Sequence, residues 1–172
     1  MQTAGRIFLI GPMGTGKTTV GAQLAAALGL EFIDCDQELE RRTGASVSLI
    51  FDVEGESGFR ERERKLIAEL TQRDDIILAT GGGAVLNAEN RLCLSSSGFV
   101  VYLRSDLQTL LARVRYDTSR PLLQTDNREE TLRKLIAQRA PLYEMTADLI
   151  VDTNNVSTKA IVNLIQAKLA DD

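Results

Sequence analysis

Five short runs of β-branched and aliphatic residues recur along the chain: Ile7 to Ile10, Phe32 to Asp36, Ile76 to Thr80, Phe99 to Leu103 and Leu149 to Asp152. Each precedes a stretch with helical periodicity. After the first run, Val20, Leu24, Ala27 and Leu28 repeat on one helical face, and Gly29 supplies the stop. After the fourth, Ser105 and Gln108 read as a capping box ahead of Leu107, Leu110, Leu111 and Val114 at i, i+3, i+4, i+7. Asn127 caps a helix carrying Leu132, Leu135 and Ile136, and Ser157 caps one carrying Ile161, Leu164, Ile165 and Leu169. Parallel strands need a crossover that is usually a helix, so this alternation predicts an α/β three-layer sandwich with a parallel sheet covered on both faces. The least periodic stretch, Tyr116 to Asn127, contains Arg120-Pro121 and reads as a loop of lid length. With no repeat, low-complexity linker or long charge run, a single domain over residues 1–172 is expected.

The composition fits that expectation: 172 residues, 44% hydrophobic, 26% charged and a formal charge of −4. Folding at this length should hide about 70% of the surface of the open chain, so the core needs no disulfide or metal. Histidine is absent, which excludes Ser-His-Asp triads, Cys-His pairs and the H-E-x-x-H zinc helix. Acid and base roles are left to carboxylates, Lys, Tyr or Cys. Cys35 and Cys93 lack C-x-x-C spacing and read as buried small hydrophobes. The first apolar run is too brief for a signal peptide or membrane span, so a cytoplasmic protein is expected. The acidic balance gives no footprint for nucleic acid, and Arg60 to Arg64, interleaved with Glu, reads as a salt-bridged helix face.

Between the first strand and its helix stands Gly11-Pro-Met-Gly14-Thr15-Gly16-Lys17-Thr18, a full G-x-x-x-x-G-K-[ST] pattern. Its glycines let backbone N–H groups turn toward phosphate oxygens, and the following helix aims its positive end at them. Lys17 would reach the β and γ phosphates, and Thr18 would offer a hard oxygen to Mg²⁺. The dinucleotide pattern G-x-G-x-x-G fails at Thr19, so nucleoside triphosphate binding is the reading. A weak D-x-x-G at Asp52 to Gly55 lacks any N-K-x-D companion, which argues against a switch GTPase.

The third strand ends in Gly81-Gly82-Gly83 where a Walker B strand would carry its acid. Asp34 and Asp36 close the second strand, and i, i+2 spacing is expected to put both carboxylates on one face of its C-terminal end, where open α/β sheets bind ligands. One would serve the metal and the other the acceptor hydroxyl. Three consecutive glycines expose backbone to a ligand. Arg139 continues the apolar stripe of Leu132, Leu135 and Ile136, so its guanidinium needs an anion, either a protein carboxylate or an anionic substrate.

These residues resemble the shikimate kinases, small P-loop enzymes that use ATP to phosphorylate the 3-hydroxyl of shikimate on the route to chorismate and the aromatic amino acids. Besides the P-loop through Thr19, the matching segments are Asp34-Cys-Asp36, Gly58-Phe-Arg-Glu-Arg-Glu63, Thr80-Gly-Gly-Gly-Ala84, Arg120-Pro-Leu-Leu123 and Arg139-Ala-Pro-Leu-Tyr143. The resemblance implies a sheet in the order 2-3-1-4-5, a shikimate-binding region of about residues 34–62 and a lid of about 116–127. It implies that Gly14, Thr15, Gly16, Lys17, Thr18 and Thr19 hold the nucleotide with Mg²⁺ at Thr18 and Asp34, and that Arg113 lies against adenine. Asp36 would bind the ring hydroxyls and act as base, Arg60 and Arg139 would clamp the carboxylate, and Gly81, Gly82 and Gly83 would line the pocket. Arg120 would close over the transferring phosphate. Where relatives often carry a basic residue after the last strand, this chain has Asn154-Asn155-Val156. The expected partners are shikimate and ATP, with no membrane or nucleic acid, and the expected state is a monomer. Competing readings are a gluconate-type kinase on the same scaffold and a nucleotide-binding regulator without catalysis.

Overall fold

The computed structural model describes residues 5–114 and 127–171. Arg120 and the expected lid, except Asn127, lie outside them. The elements run β1 (Arg6–Ile10), α1 (Lys17–Leu28), β2 (Glu31–Asp34), α2 (Cys35–Thr43), α3 (Val47–Leu70), β3 (Ile76–Ala79), α4 (Ala88–Ser97), β4 (Phe99–Arg104), α5 (Leu107–Val114), α6 (Arg128–Thr146), β5 (Leu149–Asp152) and α7 (Thr158–Asp171). The five strands form one parallel sheet in the order β2-β3-β1-β4-β5, as the resemblance implies. Ile7 of β1 stands between Ile77 of β3 and Phe99 of β4.

Side chains alternate across a strand, and here both faces are covered, so β1 is apolar throughout. Phe8 and Ile10 face a core shared with Leu66, Ile67, Leu94 and Tyr143 of α3, α4 and α6. Ile7 and Leu9 face the opposite core, shared with Val20 and Leu24 of α1 and Ile161 and Ile165 of α7. This arrangement brings the loops after β1, β2 and β3 together at the carboxyl end of the sheet.

Local chemistry sets the element boundaries. Gly29 ends α1 in the left-handed region, and the side chains of Asn127 and Ser157 accept N–H groups of Glu130 and Ala160, as expected. Three expectations need correction. In α1, Ala27 and Leu28 are exposed, and Gly21 and Ala25 complete the buried face. A β-carbon at Gly21 would lie 2.3 Å from the Phe32 ring, so this glycine lets β2 pack against the helix. The cap of α5 is Asp106, whose carboxylate accepts the Thr109 N–H at 2.7 Å. Ser105 does not cap, because its buried hydroxyl pairs with that of Thr153. Cys35 is buried as expected, whereas Cys93 is partly exposed. Among the described residues no helix is long and apolar enough to cross a membrane.

Candidate active site

The loop after β1 is shaped by backbone conformations that side chains disfavour. Gly11 has φ 145°, and a β-carbon there would stand 2.4 Å from the Leu103 carbonyl oxygen, so only glycine lets the loop leave β1 beside β4. Gly16, also left-handed, precedes α1 without a side-chain cap, which leaves first-turn N–H groups of the helix available to an anion. Buried Lys17 donates from Nζ to the carbonyls of Gly11 and Pro12, both at 2.8 Å. Thr15 donates to Pro12, bracing the same turn, while Thr19 is exposed at the start of the helix. From α5, Arg113 donates to the Gly14 carbonyl at 2.9 Å.

The second loop departs from expectation. The Asp34 carboxylate caps α2 by accepting the Gln37 N–H at 3.0 Å, which ends the strand at Asp34. Asp36 therefore sits in the first turn of α2, and a shared strand face is not what joins the two acids. The Thr18 hydroxyl donates to Asp34 at 2.6 Å, tying the P-loop helix to β2. Asp36 instead meets the glycine triplet: a β-carbon at Gly81 would stand 3.1 Å from an Asp36 carboxylate oxygen and 3.0 Å from one of Glu63.

Beside the P-loop cleft, and sharing Met13, Thr18, Asp34 and Asp36 with it, opens a pocket walled by α2, α3, α6 and the glycine triplet. Gly55, at φ 75° and ψ 175°, breaks α3, and the segment before the break contributes Val47 and Phe51 to the wall. Arg60 and Arg139 enter from different helices. Arg60 pairs with Glu63 at 3.0 Å and Glu56 at 3.5 Å, and its guanidinium lies 5.3 Å from the Phe59 ring centre. Gly83 makes room for it, since a β-carbon there would fall 2.2 Å from Nη2.

Arg139 is 3% exposed, and among the described residues no carboxylate lies within ion-pair distance of it. Its Nε is buried without a hydrogen bond. Of the two partners left open for this residue, the protein carboxylate is thus not found among the described residues. Burial pulls its pKa below the ordinary guanidinium value, the Tyr143 hydroxyl beside it works the other way, and the charge of Arg60 adds to the depression. Glu63, 1% exposed, is pushed up from 4.5 to about 7, chiefly by burial; Arg60 opposes this, and the Asp36 charge reinforces it.

Lys17, Thr18, Asp34, Asp36, Arg60, Gly81, Gly82, Gly83 and Arg139 thus converge on two adjoining clefts. Glu63 went unassigned in the sequence, although a signal was present. It interrupts the apolar stripe of Phe59, Leu66, Ile67 and Leu70, just as Arg139 interrupts its own. Among the other arginines of that stretch the salt-bridged face is as expected, with Arg62 on Glu54 and Arg64 on Glu61 and Glu89.

The shikimate kinase family model matches residues 13–170. This chain belongs to the shikimate kinase family. The shikimate kinase of Methylococcus capsulatus is 53% identical over 165 residues, 96% of this chain and 92% of that protein. A solved shikimate kinase from Acinetobacter baumannii, in complex with shikimate, superposes with a TM-score of 0.95 at 46% identity, covering 98% of this chain and 94% of the other. A gluconokinase from Sinorhizobium meliloti aligns over 99% of this chain and 94% of its own at a TM-score of 0.60 and 17% identity, a likeness of fold alone. The likeness to this family thus runs across nearly the full length of the chain.

Proposed function

We propose that this chain transfers the γ-phosphoryl group of ATP to the 3-hydroxyl of shikimate, giving shikimate 3-phosphate and ADP. The observation that carries this reading is the pocket beside the P-loop, where Arg60 and buried Arg139 line one cavity with Asp36 and the glycine triplet. Two guanidiniums are suited to a single carboxylate, which they bind through charge-assisted, bidentate hydrogen bonds. Fixing the carboxylate orients the ring so that a hydroxyl meets the nucleotide across Asp36.

The roles assigned here combine the family resemblance with the placement of the described residues. Backbone N–H groups at Gly14, Thr15 and Gly16, with Thr18 and Thr19 at the start of α1, cradle the phosphates. Lys17 exchanges the carbonyls of Gly11 and Pro12 for phosphate oxygens and stabilises charge developing on the transferring group. Asp36 takes the proton of the acceptor hydroxyl as its oxygen bonds to the γ phosphorus and the bond from that phosphorus to the bridging oxygen breaks, releasing ADP. By the family resemblance, Arg113 serves the adenine and Arg120, which lies outside the described residues, serves the transferring phosphate.

The paired oxygens of Thr18 and Asp34 fit Mg²⁺, which takes few protein ligands and keeps water and phosphate oxygens for the rest. Among the described residues no group of three His, Cys, Asp or Glu side chains forms a fuller cage. When bound, the ion would neutralise charge on the β and γ phosphates.

Release of ADP, measured by a coupled assay with shikimate, with gluconate and with no acceptor, tests the reading. Shikimate alone is expected to give multiple turnovers. Equal turnover with gluconate favours a kinase of broader acceptor range, and no turnover with any acceptor favours a nucleotide-binding regulator.

A further inference from the structure

Tyr143 ends the same motif that supplies Arg139, yet nothing in the chemistry above uses it. One helical turn separates the two on α6, so both point to the same buried side. The Tyr143 ring is fixed by packing against Tyr102 of β4, with centroids 4.9 Å apart. Its hydroxyl donates to the Gly82 carbonyl, the central residue of the glycine triplet. Gly82 in turn adjoins the guanidinium, since a β-carbon there would stand 3.5 Å from Arg139 Nη1.

The Gly82 carbonyl thus belongs to the residue that borders the Arg139 guanidinium, and the Tyr143 hydroxyl already occupies it. We propose that the Tyr143 hydroxyl is a positioning group for acceptor recognition: by engaging the Gly82 carbonyl it keeps that oxygen from capturing Arg139, and so leaves the guanidinium aimed at the acceptor carboxylate. The inference rests on the reading of this pocket as the acceptor site. Tyr143 itself touches no reacting atom.

Tyr143→Phe keeps the ring packing and removes only the hydroxyl. The expected result is a rise of about 10- to 100-fold in KM for shikimate, the scale of one hydrogen bond to a charged group, with kcat and KM for ATP within about threefold of wild type. In an Arg139→Ala background the same change should have no further effect on KM for shikimate. An unchanged KM in the single variant, an equal rise in both backgrounds, or a parallel loss in kcat and ATP affinity would each overturn the proposal. If Tyr143→Phe does not fold, 3-fluorotyrosine at position 143 keeps ring and hydroxyl while altering the donor strength. It must then shift KM for shikimate in the wild-type background and leave it unmoved with Arg139→Ala. Should Arg139→Ala alone leave KM for shikimate at the wild-type value, the acceptor reading of the pocket fails, a result separate from failure of the tyrosine's role.

Discussion

The two halves of the site solve opposite electrostatic problems with different materials. The phosphate side is built from backbone: Gly11, Gly14 and Gly16 shape one contiguous turn, and its single buried cation, Lys17, rests on carbonyls of that turn. The acceptor side is built from side chains drawn from α2, α3 and α6, separated by roughly a hundred residues of sequence between Asp36 and Arg139. It contains the buried ionisable groups Glu63 and Arg139, and among the described residues Glu63 Oε2, Arg60 Nε and Arg139 Nε have no hydrogen-bond partner. Burying charge without full pairing is costly, and residues that persist in that state mark a place where a ligand completes them. The phosphate side accordingly suits many nucleotide-binding proteins, whereas on the proposed reading selectivity rests with the acceptor side.

The largest effect should fall on the phosphate side and be blind to the acceptor. Lys17→Ala is expected to lower kcat about 10²- to 10³-fold, the loss typical of one preorganised group facing developing charge. Because Lys17 does not read the carboxylate, the loss should be the same with shikimate and with its carboxamide analogue, measured by steady-state kinetics. A loss confined to shikimate would merge the two halves into one recognition unit.

On the acceptor side, Glu63 links pH to stability. Its carboxyl rises from 4.5 to about 7 on folding, so the folded chain holds this proton more tightly than the unfolded one. The resulting stabilisation is complete below the ordinary carboxylate range and is lost as pH rises through about 7. Glu63→Gln imitates the protonated acid at all pH values. The stability of wild type minus that of Glu63→Gln should therefore fall by up to about 3 kcal/mol between pH 4.5 and 7.5, as read by denaturant unfolding. A difference independent of pH would mean that Arg60 keeps Glu63 ionised throughout.

The same division explains what the sequence made legible. The alternation of strands and helices, the P-loop and the caps at Gly29, Asn127 and Ser157 are recorded in local patterns, the sheet order follows only from the family resemblance, and Arg139 on its apolar stripe signals a buried cation. The end of β2 was misplaced because apolar runs do not distinguish a strand residue from a helix cap: only the hydrogen bond from Gln37 to Asp34 does. Gly21 was passed over since its role depends on Phe32, a tertiary neighbour. Glu63 is hidden among five alternating charges, of which Glu61, Arg62 and Arg64 form the solvated face while Arg60 turns into the pocket with it, and its burial follows from the orientation of α3. Ser105 lost the capping role to Asp106 for a similar reason, since Thr153 arrives from β5's end to occupy its hydroxyl.

The most direct test is whether Arg139 reads a carboxylate on the acceptor. The measurement is kcat/KM for shikimate and for its carboxamide analogue, in wild type and in Arg139→Ala. Leaving a buried guanidinium without its anion costs about 2 to 5 kcal/mol, so wild type should prefer shikimate by roughly 30-fold to several-thousand-fold. Arg139→Ala should lose most of that preference by penalising shikimate far more than the carboxamide. Equal discrimination in the two proteins would contradict the clamp and assign Arg139 a purely structural place in α6.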